Sequence, residues 1–252
     1  MDGVIAAYTA GGELNRMTLD RNQVEWLRTC ELLRRWLPAP PARVADIGGG
    51  PGRYAMWLNT LQYECVLFDV VPLHIEHATA HGVQAQLADA RDLPIHDSAA
   101  DGALLMGPLY HLTDATDRRQ ALAEAVRVVR PGGVVVAAAL GGGRVFVRAA
   151  AGHLADPAWH QHTLTTMRHG HVDDGDAWDQ SVYLHDTEEL RAELETAGLQ
   201  KVHVAGVEGP AGAWARRDPS LNGRALELAR AAETELAATS IHLLASGTRP
   251  AL

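Results

Sequence analysis

One segment early in the chain restricts the possible folds more than any other. The apolar run RVADI at residues 43–47 leads directly into GGGPG at 48–52, and YAMWLNTL then follows with helical spacing of its apolar residues. A second apolar run, ECVLFDVV, comes at 64–71. A strand, a glycine-rich turn, a helix and a second strand in this order predict a βαβ unit. Glycines at the end of the first strand allow a ligand to approach the backbone closely.

The same alternation continues as far as residue 140. We predict further helices at 73–80 and 117–129, and further strands at 83–87, 102–106 and 134–140, the last of them after the turn RPGG. Alternating strands and helices are typical of a parallel sheet with helices on both faces. The sequence therefore predicts an α/β fold with a Rossmann-like, cofactor-binding core at about residues 40–140.

The remaining segments are predicted to complete a single domain over residues 1–252, a length typical of one large α/β domain. Residues 1–38 are expected to form N-terminal cap helices, and residues 141–185 a His- and Asp-rich lid insertion without a long apolar period. Residues 186–252 return to regular structure. There the spacing predicts helices at 187–198 and 220–238 and strands at 201–207 and 240–248.

Charge and composition exclude several classes of partner. The formal net charge is -9, and Lys201 is the only lysine, so no lysine-rich stripe exists to follow a phosphate backbone. Cys30 and Cys65 both lie in apolar patterns and are expected to be buried thiols. No targeting signal and no run of about 18 apolar residues is present. We expect a soluble, cytoplasmic protein, a monomer or homodimer, that binds neither nucleic acid nor membrane.

Carboxylates follow the apolar strands at the edge of the sheet where such folds bind ligands. Asp46 stands just before the glycine turn, where it would repel a phosphate and attract an ammonium or sulfonium group, while Pro51 removes one of the N–H donors that a phosphate needs. Asp69 follows Gly48 by 21 residues, close to the spacing of about 20 at which a carboxylate reaches a ribose hydroxyl pair. Asp89 follows the third strand, where an adenine ring would lie.

With these residues in place, the chain resembles the class I S-adenosylmethionine (SAM)-dependent methyltransferases. The resemblance rests on VADIGGGPGRYA, VLFDVVPLH, LADARDLP, LLMGPLYHL and RVVRPGG. More narrowly, the chain is similar to a group of actinobacterial small-molecule methyltransferases, through Tyr8, Glu13 and Arg16 near its start and through VEGP at 207–210 and HLLA at 242–245. The resemblance implies a seven-stranded sheet in the order 3-2-1-4-5-7-6, with strand 7 antiparallel.

The family's roles, carried over to matching positions, imply a binding site for SAM. Asp46 and the glycine loop would surround the methionine moiety, Asp69 with Val70 would meet the ribose, and Asp89 with Ala90 the adenine. Tyr8 and Arg16 would close over the site, Arg16 pairing with the cofactor carboxylate. The cofactor-binding residues implied are Tyr8, Arg16, Asp46, Gly48, Gly49, Gly50, Gly52, Asp69, Val70, Asp89, Ala90, Met106 and Gly107.

Tyr110 and His111 are the candidate catalytic residues, because they follow the fourth strand directly beside the expected position of the methyl group. His111 has an ordinary pKa of about 6.5, which suits either proton removal or a substrate contact near neutral pH. Its alternative role is to cap the next helix or pack in the wall. Tyr110 could place its ring against the sulfonium or serve as a buried structural tyrosine. Both alternatives stay open for each residue.

The acceptor half of the site is less well determined. Tyr183 and His185 match a Tyr-x-His pattern of the family, and Glu208 ends its strand, so all three are candidate substrate residues. The insertion also holds His160, His162, HGH at 169–171 and several aspartates, but neither helical i, i+4 pairs nor C-x-x-C spacing. We therefore predict a lid and no metal. The segments GGG at 141–143 and WDQS at 178–181 depart from the family pattern.

These observations predict an enzyme that transfers a methyl group from SAM to an oxygen or nitrogen of a small molecule, in specialised metabolism. The alternative on the same scaffold is a non-methylating enzyme, such as one that cyclises the aminobutyrate arm of SAM and releases methylthioadenosine. A nucleic-acid methyltransferase would need a basic surface and an N/D-P-P-Y/F motif after the fourth strand, where this chain has GPLY.

Overall fold

The computed structural model describes residues 19–145, 152–169 and 182–251, together with residues 5, 8 and 14. The strands are β1 (Arg43–Ile47), β2 (Glu64–Asp69), β3 (Gln84–Leu87), β4 (Ala100–Leu105), β5 (Val129–Gly141), β6 (Leu184–His185), β7 (Gln200–Gly206) and β8 (His242–Thr248). The α-helices are α1 (Gln23–Trp36), α2 (Arg53–Thr60), α3 (Pro72–Ala80), α4 (Pro108–His111), α5 (Ala115–Val128), α6 (Pro157–His169), α7 (Thr187–Thr196), α8 (Gly212–Arg217) and α9 (Asn222–Ala231).

The sheet has the predicted topology. Its order is β3-β2-β1-β4-β5-β8-β7, and β8 runs antiparallel to both β5 and β7. The other main pairs, β1 with β2 and β4, β2 with β3, and β4 with β5, are parallel. The two-residue β6 pairs with the end of β5 and was not predicted. Because β6 is an addition, β7 and β8 are the predicted strands 6 and 7, and the predicted order is confirmed.

Helices cover both faces of the sheet because successive residues of each strand point to opposite sides. On one face, Val44 of β1 belongs to a core that includes Leu33 of α1 and Leu58 of α2. On the other, Ile47 belongs to a core that includes Leu122 of α5. Each fully buried leucine of this kind contributes about 1.5–3 kcal/mol to stability. The two layers hold the carboxyl ends of β1, β2 and β4 at one edge of the sheet.

Three sequence-based element predictions were wrong. The turn RPGG lies inside β5, because its backbone pairs with Arg249 through the Gly132 N–H and the Gly133 carbonyl. The helix predicted over 220–238 ends at Ala231, and soon afterwards the carbonyl of Glu233 accepts the N–H of Gly206 instead of a helical N–H. The insertion at 141–185 contains the helix α6, which sequence periodicity did not reveal.

Among the residues that the structure describes, no helix has the length and apolar character needed to cross a membrane.

Candidate active site

A cleft of about 1010 Å³, including its open mouth, lies at the carboxyl edge of the sheet. Most of the predicted cofactor-binding residues line this cofactor cleft. They are Tyr8, Gly48, Gly49, Gly50, Asp69, Val70, Asp89, Ala90, Met106 and Gly107, and both predicted catalytic residues, Tyr110 and His111, line it as well. Tyr54 and His74 also line the cleft, although their sequence positions in α2 and α3 were not singled out. The signal that could have found them is their place just after the strand ends.

The glycine loop is packed too tightly for larger residues. Gly48 has φ +68°, and a Cβ built there would lie 2.5 Å from Cδ of Pro108. At Gly49, a Cβ would meet the Asp46 carboxylate at 2.6 Å. The loop therefore exposes backbone to the cleft while it covers Asp46. Gly52, another predicted cofactor residue, is the N-cap of α2 and packs toward Ala78, away from the cleft lining.

Asp46 is fully buried beneath the loop, and neither carboxylate oxygen has a hydrogen-bond partner among the described residues. Burial, helped by the nearby charge of Asp69, raises the pKa of Asp46 to about 7. A buried carboxylate without a partner is unfavourable unless a cation or hydrogen-bond donor approaches it. Asp46 is not among the described residues that line the cleft, so it would act through its charge on a ligand held above the glycine loop, and its role at the cofactor stays a prediction.

Asp69 lies in the cleft wall with a fixed carboxylate. Its Oδ2 accepts the Gly50 N–H at 2.9 Å, and its Oδ1 accepts the Val71 N–H at 2.9 Å and lies 3.1 Å from Nδ1 of His74. Each carboxylate oxygen can accept more than one hydrogen bond, so capacity remains for ligand hydroxyls. These contacts orient Asp69 at the end of β2, the position at which a ribose was predicted.

Asp89 is bound by its neighbour Arg91. The Asp89 carboxylate accepts three hydrogen bonds from Arg91, two from the guanidinium and one from the backbone N–H. These contacts with Arg91 hold the pKa of Asp89 below its ordinary value, although burial opposes them. Asp89 therefore lines the cleft as an ionised, paired group, while Ala90 beside it is buried.

The opposite wall carries the aromatic residues. The Tyr8 hydroxyl lies 2.9 Å from Nε2 of His111, and the Tyr8 ring makes edge contacts with His111 and His74. The Tyr110 hydroxyl donates to the Met106 carbonyl at 3.4 Å, next to Gly107. Tyr8 thus lines the cleft between His111 and His74, and its closure over a ligand stays a prediction. Arg16, its predicted partner in closing the site, lies outside the described residues.

Two of the predicted substrate residues lie behind the wall of the cleft. The Tyr183 N–H donates to the Tyr110 carbonyl at 2.9 Å, and its hydroxyl donates to Glu189. Burial, followed by this contact with Glu189, raises the pKa of Tyr183 to about 12. His185 is buried, with Nε2 3.2 Å from Glu193. Among the described residues, neither Tyr183 nor His185 lines the cofactor cleft, and their contact with an acceptor stays a prediction.

A second, smaller cavity of about 350 Å³ adjoins the cofactor cleft and shares three lining residues with it, Tyr54, Met106 and Tyr110. The remaining walls of this side cavity come from α1, the end of β5, the residue after β7 and the start of β8. They are Glu25, Thr29, Ala138, Val207, His242, Leu243 and Leu244. Glu208, the third predicted substrate residue, lies directly behind His242. Sequence analysis missed Glu25 and the imidazole of His242, although the signature HLLA contains that histidine.

Comparisons with known proteins agree with this geometry. Residues 45–137 match the family described as "Methyltransferase domain". The chain is 30% identical over 131 residues to an uncharacterized methyltransferase of Mycobacterium tuberculosis, covering 51% of this chain and 47% of that protein. It is 31% identical over 114 residues to "Probable tRNA methyltransferase 9B" of Homo sapiens, covering 45% of this chain and 24% of that protein. The chain thus spans about half the length of the first of these relatives and a quarter of the second.

Among solved structures, a SAM-dependent methyltransferase of Thermotoga maritima superimposes with a TM-score of 0.64 at 19% identity, over 99% of this chain and 100% of that one. This likeness shows the fold. The match of residues 45–137 to the methyltransferase-domain family and the shared fold together support a class I methyltransferase, and they imply SAM as its cofactor. The predicted class and cofactor are confirmed at this level.

Proposed function

We propose that the protein transfers a methyl group from SAM to an oxygen or nitrogen atom of a small molecule of the kind made in specialised metabolism. The observation that carries this proposal is the side cavity. Its walls are both apolar and polar, and it shares Tyr54, Met106 and Tyr110 with the cofactor cleft, beside the loop after β4. A small molecule that enters it would therefore lie next to residues that also line the cofactor cleft.

SAM supplies the methyl group on a sulfonium that is already a good leaving group. The glycine loop lets the cofactor approach the backbone, and the buried charge of Asp46 beneath the loop favours a cationic ligand above it. Asp69 is held in place by Gly50, Val71 and His74, so it can bind hydroxyls without reorganising. Holding two reactants in line is worth about 7–11 kcal/mol of the barrier. Positioning is the principal contribution of these residues.

Tyr110 and His111 remain our candidates for contact at the methyl end of the cofactor. Tyr110 lines both cavities, so its ring stands where cofactor and acceptor meet and can face the sulfonium. His111 lines the cofactor cleft and is joined to Tyr8. We propose that Tyr8 and His111 together shield the reacting atoms from water.

RNA is the main rival acceptor, since several relatives are named as tRNA methyltransferases. Binding to RNA relies on many contacts between basic side chains and phosphates. A net charge of -9 and a single lysine make such a surface unfavourable here. The side cavity is also much smaller than the cofactor cleft, which favours a small acceptor over a nucleotide within a chain. These observations support a small molecule over RNA.

The test is a product analysis with SAM that carries a deuterated methyl group. The protein is incubated with a panel of small phenols and amines, with small-molecule fractions of cell extract, and with total tRNA. We expect S-adenosylhomocysteine together with a labelled small molecule. Label in tRNA would overturn the choice of acceptor. Release of methylthioadenosine without any labelled acceptor would instead favour the non-methylating alternative.

A further inference from the structure

The polar end of the side cavity is formed by residues from distant parts of the chain. Glu25 comes from α1, His242 begins β8, and Glu208 and Arg216 follow β7. The side chain of Glu208 is 1% exposed and that of Glu25 is 5% exposed, so two carboxylates are buried within a few ångströms of each other. Arg216 offsets part of this charge, because its Nη2 lies 2.7 Å from Glu25 and 3.3 Å from Glu208. Buried ionisable groups cluster at functional sites, which makes this group a candidate for one.

The geometry within this group is that of a carboxylate–histidine pair. Nδ1 of His242 lies 2.5 Å from Oε1 of Glu208, and the His242 backbone N–H donates to Oε2 at 3.0 Å. Burial would raise the pKa of Glu208, but the charges of His242 and Arg216 outweigh it and hold that pKa below its ordinary value. An ionised Glu208 can only accept a hydrogen bond, so Nδ1 of His242 must carry a ring proton and donate it to Glu208. In the neutral ring, the lone pair then lies on Nε2.

Nε2 of His242 is directed toward the cavity. It lies 3.9 Å from Oε1 of Glu25, and it makes no hydrogen bond within the described part of the chain. His242 itself lines the side cavity, together with Tyr110 and several apolar residues. A hydroxyl or ammonium group placed between Nε2 and Glu25 would find a proton acceptor on one side and a carboxylate on the other.

We propose that His242, oriented by Glu208, accepts the proton from the methyl acceptor, and that Glu25 helps to hold the donor group. This inference rests on the proposed function and names its substrate class: a small molecule with an apolar body and one hydroxyl or ammonium group. The acceptor's proton passes to Nε2, and the freed lone pair forms the bond to the methyl carbon. The carbon–sulfur electron pair stays on sulfur, so S-adenosylhomocysteine leaves as a neutral thioether. His242 then returns the proton to solvent.

His242 suits this step better than His111. Nε2 of His111 is already engaged with the Tyr8 hydroxyl at 2.9 Å, within the cofactor cleft. Nε2 of His242 faces the cavity in which we place the acceptor. Removing a proton in this way accelerates a reaction by about 10²- to 10⁴-fold.

A metal ion would be a different use of the same residues. The ligand atoms of Glu25, Glu208 and His242 lie within 4.8 Å of one another, which is compatible with metal binding. However, the guanidinium of Arg216 contacts both carboxylates, and it would repel a divalent cation at that point. The short contact between His242 and Glu208 also occupies Nδ1. The proton-transfer role therefore agrees better with the contacts observed.

The test uses the full chain with His242→Gln and Glu208→Gln, and with His203→Gln as the matched control, since His203 is an exposed histidine on β7. In ¹⁵N-labelled protein, the His242 signals are assigned by their loss in His242→Gln. We expect the Nδ1–H tautomer in the native protein and a shift toward a mixed tautomer in Glu208→Gln. An Nε2–H tautomer in the native protein would overturn the inference even if no acceptor had been found.

With an acceptor from the product analysis, we expect kcat to fall by about 10²- to 10⁴-fold in His242→Gln. The acidic limb of the native pH profile should disappear, while the Kd for SAM and the activity of His203→Gln stay unchanged. The groups facing this imidazole are Glu25, Glu208, Arg216 and Tyr110, and Glu208→Asp should recover part of the rate lost in Glu208→Gln. An unchanged kcat and pH profile in His242→Gln, or activity abolished by EDTA, would overturn the role. Absence of methyl transfer in the native protein would instead count against the proposed function.

Discussion

Asp46 provides the sharpest test of the cofactor cleft, because its burial makes the stability of the protein depend on pH. The pKa of Asp46 is about 7 in the folded chain, against an ordinary value of 3.8. With the folded value above the unfolded one, the contribution of Asp46 to stability is fully present below pH 3.8. That contribution is lost as the pH rises through about 7. At neutral pH and above, folding without a ligand must therefore bury an unpaired charge.

The size of this effect follows from the two pKa values. With these values, ionisation of Asp46 lowers the free energy of unfolding by about 4 kcal/mol at pH 8 and by about 1.5 kcal/mol at pH 5, relative to the protein with Asp46 protonated. Asp46→Asn removes the charge but keeps the shape of the side chain. The free energy of unfolding of the variant minus that of the native protein should be about 2.5 kcal/mol larger at pH 8 than at pH 5. Any penalty for burying the amide itself cancels in this comparison, because it does not change with pH.

Two measurements check this reasoning. Urea unfolding at pH 5 and pH 8, without cofactor, gives the difference in stability, with Asp92→Asn at an exposed position as the control. Calorimetry of SAM binding in two buffers of different ionisation enthalpy gives the proton release. At pH 6.5 the native protein should release roughly 0.7 proton more per SAM bound than Asp46→Asn, because the bound cation lowers the pKa of Asp46. A pH-independent stability difference with equal proton release in both proteins would refute the placement of positive charge at Asp46.

The remaining predictions concern the walls of the cleft and the buried thiols. Asp69→Ala should raise the Kd for SAM at least tenfold by calorimetry, while Ala at the exposed Glu76 of α3 should not; equal affinities would remove Asp69 from the ribose site. Gly48→Ala should lower both stability and SAM affinity, because Gly48 has φ +68° and an added Cβ would lie 2.5 Å from Pro108. The control is Gly223→Ala in α9, where an added Cβ meets nothing within 4 Å, so this change should be neutral or slightly stabilising. His111→Ala should weaken SAM or acceptor binding but keep the acidic limb of the pH–rate profile; loss of that limb would return the proton-acceptor role to His111. Burial raises the pKa of both thiols, that of Cys30 to about 12, so a thiol reagent should modify Cys30 and Cys65 only after urea unfolding; rapid labelling of the native protein would contradict their burial.

The cofactor half of the site was largely predictable from sequence, and the reason is geometric. In a parallel sheet, the carboxyl ends of the strands meet at one edge, so a residue that directly follows a strand is placed there by the fold alone. Asp69, Asp89 and the glycine loop are all of this kind, and the structure places each of them in the cleft. Asp46 was predicted to meet the cofactor, but Gly49 packs above it and buries it beneath the cleft lining, which the sequence did not reveal.

The acceptor half was not predictable in the same way. The group around His242 joins α1, the end of β7 and the start of β8, and nothing in the spacing of these segments announces that they converge. Tyr183 and His185 were chosen because they match a family pattern, yet in the structure they contact Glu189 and Glu193 behind the wall. Pattern alone could not distinguish a residue that lines a cavity from one that supports its wall.

The parallel strands end at the edge of the sheet that binds ligands. Because β8 is antiparallel to its neighbours, it begins at that edge, with His242. The partners of His242 in the side cavity therefore include Glu25, from near the opposite end of the chain. Contacts between such distant segments close a long loop at a high entropic cost, so we expect them to form late in folding. The cofactor cleft is built mainly from neighbouring βα units and can form earlier. A chain in which β8 has not yet docked would thus already hold the cofactor-binding walls but would lack the pocket for the second reactant.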